Sequence, residues 1–367
     1  MQMKSSLTRT LGAVLAALVM SPMAATSAHA EPELLARPSM QDARASNRVM
    51  LAVSRAGKRL VAVGEHGIIL LSDDNGKTWQ QTPAPVSLTL TNVRYVDATH
   101  GWAVGHGGVV LHTSDAGKTW LKQLDGAQAA ALARETAASQ AAKGGEDGRR
   151  ALAEAEQLVA DGPDKPFFDV YFSDELHGLV VGAYGLAFAT DDGGKHWHPI
   201  PDRMPNPKGH HLYSISVANN ELLIAGEQGS LFRSNDGWKS FTKVDTPYSG
   251  TYFGVLTGKK DEILVFGLRG NIYSSRDAGQ TWQKIDGGSS ATVTAGLRLS
   301  DGDVLLVNEA GQVLQSRGPG GQFRPLLSRH GSQLTGIAKS ADGNIVLSGM
   351  RGVASVTLPT QPAEQKQ

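Results

Sequence analysis

One phrase recurs seven times along this chain at a near-constant interval. Its fullest copy spans Val63 to Trp79 and reads Val-Gly-Glu-His-Gly-Ile-Ile-Leu-Leu-Ser-Asp-Asp-Asn-Gly-Lys-Thr-Trp. The second glycine of each copy falls at Gly67, Gly108, Gly185, Gly229, Gly270, Gly311 and Gly352, in steps of 41, 77, 44, 41, 41 and 41 residues. Repeats of about 40 residues built from short β-runs are the mark of propeller blades. The predicted fold is therefore all-β: a seven-bladed β-propeller of four-stranded antiparallel blades. The long step carries an insertion between blades two and three.

Each copy holds four short β-runs separated by turn residues, lettered A to D outward from the axis. Runs such as Leu60–Val63 and Leu179–Val181 are continuously apolar, as expected of strands packed on both faces. The C–D turn carries Ser/Thr-x-Asp-x-Gly-x-Thr-Trp, the Asp-box, at Ser72–Trp79, Thr113–Trp120, Thr190–Trp197, Ser234–Phe241 and Ser275–Trp282. The Asp carboxylate accepts backbone N–H bonds inside the turn, the Gly supplies a positive φ, and the Trp packs back onto the blade. Asp74, Trp79, Asp115, Trp120, Asp192, Trp197, Asp236, Asp277 and Trp282 are thus expected to be scaffold, not catalysts. Blade four departs from the pattern, with Trp238 at the Gly position and Phe241 for Trp. Blade six has Gly318 for Asp, and blade seven lacks the box and a fourth strand. Closing the ring then needs a strand from elsewhere, and Leu34–Met40 is the expected donor.

Residues 1–30 read as a cleaved secretory signal: Lys4 and Arg9, an apolar run from Leu11 to Met20, and a cut after Ala30 in Ala28-His29-Ala30. The propeller is assigned to 31–360 and a disordered tail to 361–367. The expected location is the periplasm or the medium, with no membrane span once the signal is removed. The chain has no cysteine, and Lys plus Arg balance Asp plus Glu at 35 each. That excludes a disulfide framework and thiolate metal sites, and gives nucleic acid no basic face to bind.

In an antiparallel blade the A–B and C–D turns share one rim, and the B–C turns share the other with the D–A links. The Gly-x-x-Gly B–C turns are where the copies differ. A binding rim is expected there, formed by Glu65, His66, His106, Tyr184, Glu227, Gln228, Arg269, Glu309 and Arg351. The insertion, 125–165, leaves from a D–A link on the same rim. It is alanine-rich, with helix formers over Gln128–Ala142 and Arg149–Val159 around Gly144-Gly145, and is expected to form a helical hairpin.

The repeated pattern, with Gly101-Trp-Ala-Val-Gly-His106 and His177-Gly-Leu-Val-Val-Gly182 ahead of the box, resembles the photosystem II stability/assembly factor family. It resembles more broadly the Asp-box (BNR) propellers that include sialidases. The first resemblance covers residues 45–357. It implies an exported, non-enzymatic, seven-bladed protein that binds a membrane-protein complex as an assembly, stability or accessory factor. In a non-photosynthetic host the implied partner is a transporter or an envelope complex. A monomer without cofactor is expected. The alternative is a carbohydrate-active, sialidase-like enzyme. Against it, the arginines do not recur as a triad, and Phe323-Arg324-Pro325 falls in an outer strand. The histidines His196, His198, His210 and His211 lack acids at ligand spacing, so no metal site is expected.

Overall fold

A computed structural model describes residues 30–259, 261–318, 320–328 and 332–358. The expected signal segment, except for Ala30, and the expected tail lie outside them. Seven antiparallel sheets follow one another along the chain, six of four strands and a last one of three. Strand order in each is sequential, A-B-C-D. The A strands pack side by side in a ring and line a central channel of about 390 Å³.

Strand B, not the innermost strand A, is the most buried element. Gly101–Gly105, Gly178–Gly182, Ile263–Gly267, Val304–Asn308 and Ile345–Gly349 are buried at every position. The A strands keep partly exposed positions, because their inner edge faces the channel. Apolar clusters between neighbouring blades join them, one combining Val61, Val63 and Ile69 with Leu90, Val93 and Leu111. Each such side chain contributes about 1.5–3 kcal/mol when fully buried.

The Asp-boxes are self-contained hydrogen-bonded turns. Asp74 Oδ1 accepts from Ser72 Oγ (2.8 Å) and from the N–H groups of Lys77 (3.1 Å) and Thr78 (2.9 Å). Its Oδ2 accepts from Thr78 Oγ1 at 2.5 Å. Asp115, Asp192, Asp236 and Asp277 repeat this, with His196 and Ser240 standing in for Thr in blades three and four. Indole N–H groups close the turns: Trp79 donates to Gly76 O at 3.2 Å and Trp120 to Gly117 O at 2.9 Å. Trp282 instead donates to Asp245 O at 2.9 Å, and Trp197 is buried with its indole N–H unpaired.

The first glycine of the B–C turn is present for a different reason from the second. Gly64 is extended, at φ −162°, and needs no left-handed freedom. A Cβ there would lie 2.1 Å from Val49 O, at the entry to strand A. In blade six this place is taken by Asn308, fully buried, whose Oδ1 accepts from Ala310 N (3.1 Å) and Gln312 N (2.9 Å).

The expectation for ring closure is corrected. Among the described residues blade seven has three strands, and Leu34–Met40 adds none to it. Leu34 and Leu35 belong to helix α1 (Ala30–Ala36), and the chain beyond it lies along blades one and two. Leu34 O accepts from Ser87 N, Ser39 N donates to Ala84 O (2.9 Å), and Leu35 is buried in the core of blades one and two. The physical reason is local. Pro38 has no N–H to give a ladder, while Leu35 gains an apolar site. Closure comes from direct packing of blade one on blade seven. Met50, Leu60 and Leu70 cluster with Ala338 and Val346, and Thr335 Oγ1 donates to Met50 O at 2.7 Å.

The insertion is a helical hairpin, α2 (Gly126–Ala141) and α3 (Glu146–Asp161), between blades two and three. Asp125 and Gln128 form a reciprocal capping box at its start. Gly126 packs so closely on the blade-two B–C turn that a Cβ at Gly108 would lie 2.7 Å from it. Ala129 and Leu132 join the core with Val110 and Phe167. The hairpin therefore stands on the B–C rim.

Candidate functional site: the mouth of the channel

All nine predicted rim residues sit at B–C turns, but the structure divides them by role. Glu65 Oε1 accepts from Val49 N (3.3 Å), Glu227 Oε2 from His211 N (3.0 Å) and Glu309 Oε1 from Thr292 N (2.8 Å). Each of those N–H groups enters strand A of the same blade. The three glutamates, singled out as rim acids, therefore tie the turn to its own blade.

His66, Tyr184, Gln228 and Arg269 behave differently. Each occupies the first central position of a tight turn with φ between 50° and 57°. His66 (φ 53°, ψ 29°) followed by Gly67 (φ 70°) has type I′ geometry, which favours Asn, Asp or Gly there. Gly107 meets that preference in blade two. In four blades, a larger exposed side chain is held in a backbone state that costs it about 1–2 kcal/mol. His106 and Arg351 are exposed at neighbouring positions without that strain.

A second ring of positions lies just inside this rim. In every blade the A–B pairing skips one residue of strand A: Leu51, Thr91, Phe168, Tyr213, Phe253, Thr294 and Thr335 in turn. All seven line the channel. A β-bulge re-aims the extra residue out of the ladder, here towards the axis. Three of the threonines use the position to stitch blades. Thr91 Oγ1 donates to Phe167 O (2.6 Å), Thr294 to Leu334 O (2.8 Å) and Thr335 to Met50 O.

Blades three, four and five carry aromatic rings there instead. Phe168 stacks on Tyr213 with centroids 4.8 Å apart, and Phe253 meets Tyr213 edge-on at 5.1 Å. His211 lies 6.2 Å from Phe168 and 4.9 Å from Tyr184, which carries the cluster out to the rim. Tyr184 is 62% exposed. Lys165, where the insertion rejoins the blade, holds its ammonium 5.5 Å from the Tyr184 ring centroid. Burial, aided by the charge of Glu227, pushes the Tyr213 phenol up to about 12, so it stays a neutral hydrogen-bonding group. The result is a half-buried aromatic sector at the channel mouth, beside the helical hairpin. Tyr184 stands out in the sequence as a rim residue, whereas Phe168, Tyr213 and Phe253 do not. Aligning the repeats on the first glycine of the B–C turn (Asn308 in blade six) shows Leu, Thr, Phe, Tyr, Phe, Thr and Thr at one site, 13 or 14 residues upstream.

Beneath this sector a buried carboxylate joins three blades. Asp169, 1% exposed, accepts from Arg94 Nη2 (2.6 Å), Asn92 Nδ2 (2.7 Å), Ile215 N (2.7 Å) and Val170 N (2.8 Å). It locks blades two, three and four together at the axis.

The four histidines weighed as ligands find separate surroundings. His196 pairs with Asp192, His210 Nδ1 lies 3.0 Å from Ser230 Oγ, and His211 Nδ1 lies 3.3 Å from Tyr213 Oη. His198 is half-buried in strand D of blade three. Among the described residues one group has metal-ligand spacing, Asp97, His100 and Glu175, on the Asp-box side. Its core is a turn device: Asp97 accepts from Thr99 N, His100 N and His100 Nδ1, and Asp174 and His177 repeat the arrangement in blade three.

Comparison with known proteins agrees with this architecture. The family described as Photosynthesis system II assembly factor YCF48 matches residues 152–357, and a BNR/Asp-box repeat matches 70–81. The chain belongs to the YCF48 family. A curated relative, the Photosystem II assembly lipoprotein Ycf48 of Synechococcus sp. (strain CC9902), is 38% identical over 84 residues. That match takes in 22% of this chain and a quarter of the relative's length. Among solved structures, YCF48 bound to D1 peptide is similar with a TM-score of 0.62 at 15% identity, over 86% of this chain and 97% of that one. YCF48 from Cyanidioschyzon merolae gives 0.61 at 16% identity, over 86% and 97%. The WD40 propeller domain of Doa1 gives 0.61 at 11% identity, over 88% and 95%. At these identities the structures speak for the fold alone.

Proposed function

We propose that this chain is an exported, non-enzymatic docking protein. It holds a segment of a membrane-protein complex at the aromatic sector of its channel mouth, as an assembly, stability or accessory factor. The observation that carries the reading is the run of three consecutive bulges, Phe168, Tyr213 and Phe253, aimed at the axis beside exposed Tyr184. Aromatic side chains supply large contact area at low entropic cost and dominate binding hot spots. The strained backbone at Tyr184 and Arg269 supports the same reading, since such strain concentrates where side chains are placed for use. Family membership supports it as well, as does the relative whose structure holds a D1 peptide. The hairpin forms one wall of the site. Whether the partner is a photosystem subunit, a transporter or an envelope complex follows from the host.

The glutamates that a hydrolase would need on this rim are occupied with backbone N–H groups of their own blades, which favours binding over catalysis. The test is site-specific photo-crosslinking from position 184 in host membranes, followed by mass spectrometry. One membrane protein should be captured through one extracytoplasmic segment, and Tyr213→Ala with Phe253→Ala should abolish the adduct. A deletion of 125–165 bridged by a short glycine linker should weaken it. Equal capture by all variants, or glycan turnover abolished by Glu65→Gln, Glu227→Gln or Glu309→Gln, would overturn the reading.

A further inference from the structure

On the opposite side of the ring, the Asp-box rim has a cleft of about 470 Å³ between blades three and four. Its lining includes Tyr171 and Trp238, whose rings meet edge-on at 5.8 Å, with His198, Arg203, Lys239 and Asp191 around them. This volume is in the range of small-molecule sites, and apolar walls with a few polar groups are their usual character.

Trp238 is the unusual element. It stands where blades one, two, three and five have the box glycine, and it is held at φ 68°. A bulky residue in the left-handed region is a genuine outlier. Packing alone does not require it. In blade two the space beside the box glycine is filled from strand A, by Tyr95, and in blade three by Gln123 of the preceding blade, with glycine kept in the turn. Blade four has Val217 at that strand position, and the ring arrives from the strained turn instead. The exchange moves an aromatic face from the blade interior to the wall of the cleft, where Trp238 is half-buried.

The charges around the cleft are unbalanced. Lys239 is exposed, and among the described residues neither it nor Arg203 forms an ion pair. Arg203 Nη1 donates to the backbone carbonyl of Trp238 at 3.3 Å, which holds the guanidinium at the cleft wall. Asp191 is the one acid lining the cleft, against these two cations.

We propose that this cleft binds a small organic anion with a ring, its flat face on Trp238, its edge towards Tyr171 and its carboxylate between Arg203 and Lys239. The site is separate from the channel mouth and does not rest on the docking role. Sugar acids and aromatic acids share this chemistry, so both are used as probes: D-glucuronate and phenylacetate, with glucose and benzyl alcohol as uncharged counterparts.

The experiment follows the Trp238 indole N–H resonance during titration of the full protein. At least one of the two anions should give a saturable shift, and which one does so identifies the source. Its uncharged counterpart should bind at least several-fold more weakly. Lys239→Gln, a surface change remote from folding, should weaken the anion by about threefold, as expected for an exposed charge pair. Trp238→Gly relieves the left-handed strain but gives up a half-buried ring, so it should melt close to the parent protein while losing the site, read from neighbouring backbone amides. No saturable shift with either anion, equal affinity for the uncharged counterparts, or unchanged affinity in both variants would overturn the proposal.

Discussion

The Asp169 bridge gives the sharpest test of how this ring is held. Asp169→Ala removes an acceptor of four hydrogen bonds from the axis of three blades. Breaking a buried charged pair costs about 3–5 kcal/mol, because the remaining partner is left unpaired. Two of the orphaned donors, the N–H groups of Val170 and Ile215, belong to buried residues. The Arg94 side chain is 35% exposed to the channel, so water recovers part of its solvation there. The expected loss is therefore at the lower end, ~3 kcal/mol. For a fold of about 330 residues, with an unfolding entropy of about 0.7 kcal/mol/K, that is a drop of about 4 °C in Tm. Asp169→Asn is the informative companion. Its new NH2 faces either Arg94 and Ile215 N or Asn92 and Val170 N, and Asn92 cannot simply turn over, since its Oδ1 accepts from Val93 N at 2.8 Å. About 2 kcal/mol should be lost. Burial pushes the Asp169 carboxyl up, while Arg94 and the N–H groups of Ile215 and Val170 pull it down. Urea titration of both variants, followed by intrinsic fluorescence, measures the balance. An asparagine variant as stable as the parent would mean that desolvation cancels the pairing, and the bridge would then not be a stabilising device.

Other outcomes follow from the same geometry. Hydrogen bonds from Thr78, Ser240 and Thr281 hold Asp74, Asp236 and Asp277 down at about 2. Since these pKa values lie below the unfolded value, their contribution is complete above the ordinary carboxylate range and disappears as pH falls from about 4 towards 2; Asp74→Asn should flatten Tm against pH in that window. Gly105→Ala would place a Cβ 2.2 Å from Thr89 O and should cost about 3 kcal/mol in urea unfolding. Leu35→Ala should cost ~2 kcal/mol, the lower end for a buried leucine, through lost packing on blades one and two. Tyr184→Gly should leave Tm unchanged or raise stability by up to about 1 kcal/mol, because relief of left-handed strain outweighs the added chain entropy, while membrane-partner crosslinking falls.

Much of this architecture was open to reading because it is periodic. A 41-residue step, a box that makes its own hydrogen bonds and an alanine-rich interruption are each local, so blade count, turn chemistry and the hairpin's rim follow without coordinates. What escaped was set by relations between distant residues. Nothing local to Leu34–Met40 announces that Leu35 would rather enter the core of blades one and two than complete blade seven. The glutamates at 65, 227 and 309 look like free rim acids until the N–H groups they accept from, 16 or 17 residues upstream, are seen. The bulged residues were hidden for a subtler reason. An extra residue shifts the face alternation by one, but strands packed on both faces show little alternation to begin with, so Phe168, Tyr213 and Phe253 do not stand out until the pairing register shows them displaced.

That displacement sets how this molecule can change over time. Where the bulged residue is Leu51, Phe168, Tyr213 or Phe253, it sits outside the ladder, so one side chain can replace another at the axis while the surrounding pleat keeps its geometry. The three threonine seats are tied to the next blade, so the ring divides its axial positions into ones that hold the circle and ones free to vary.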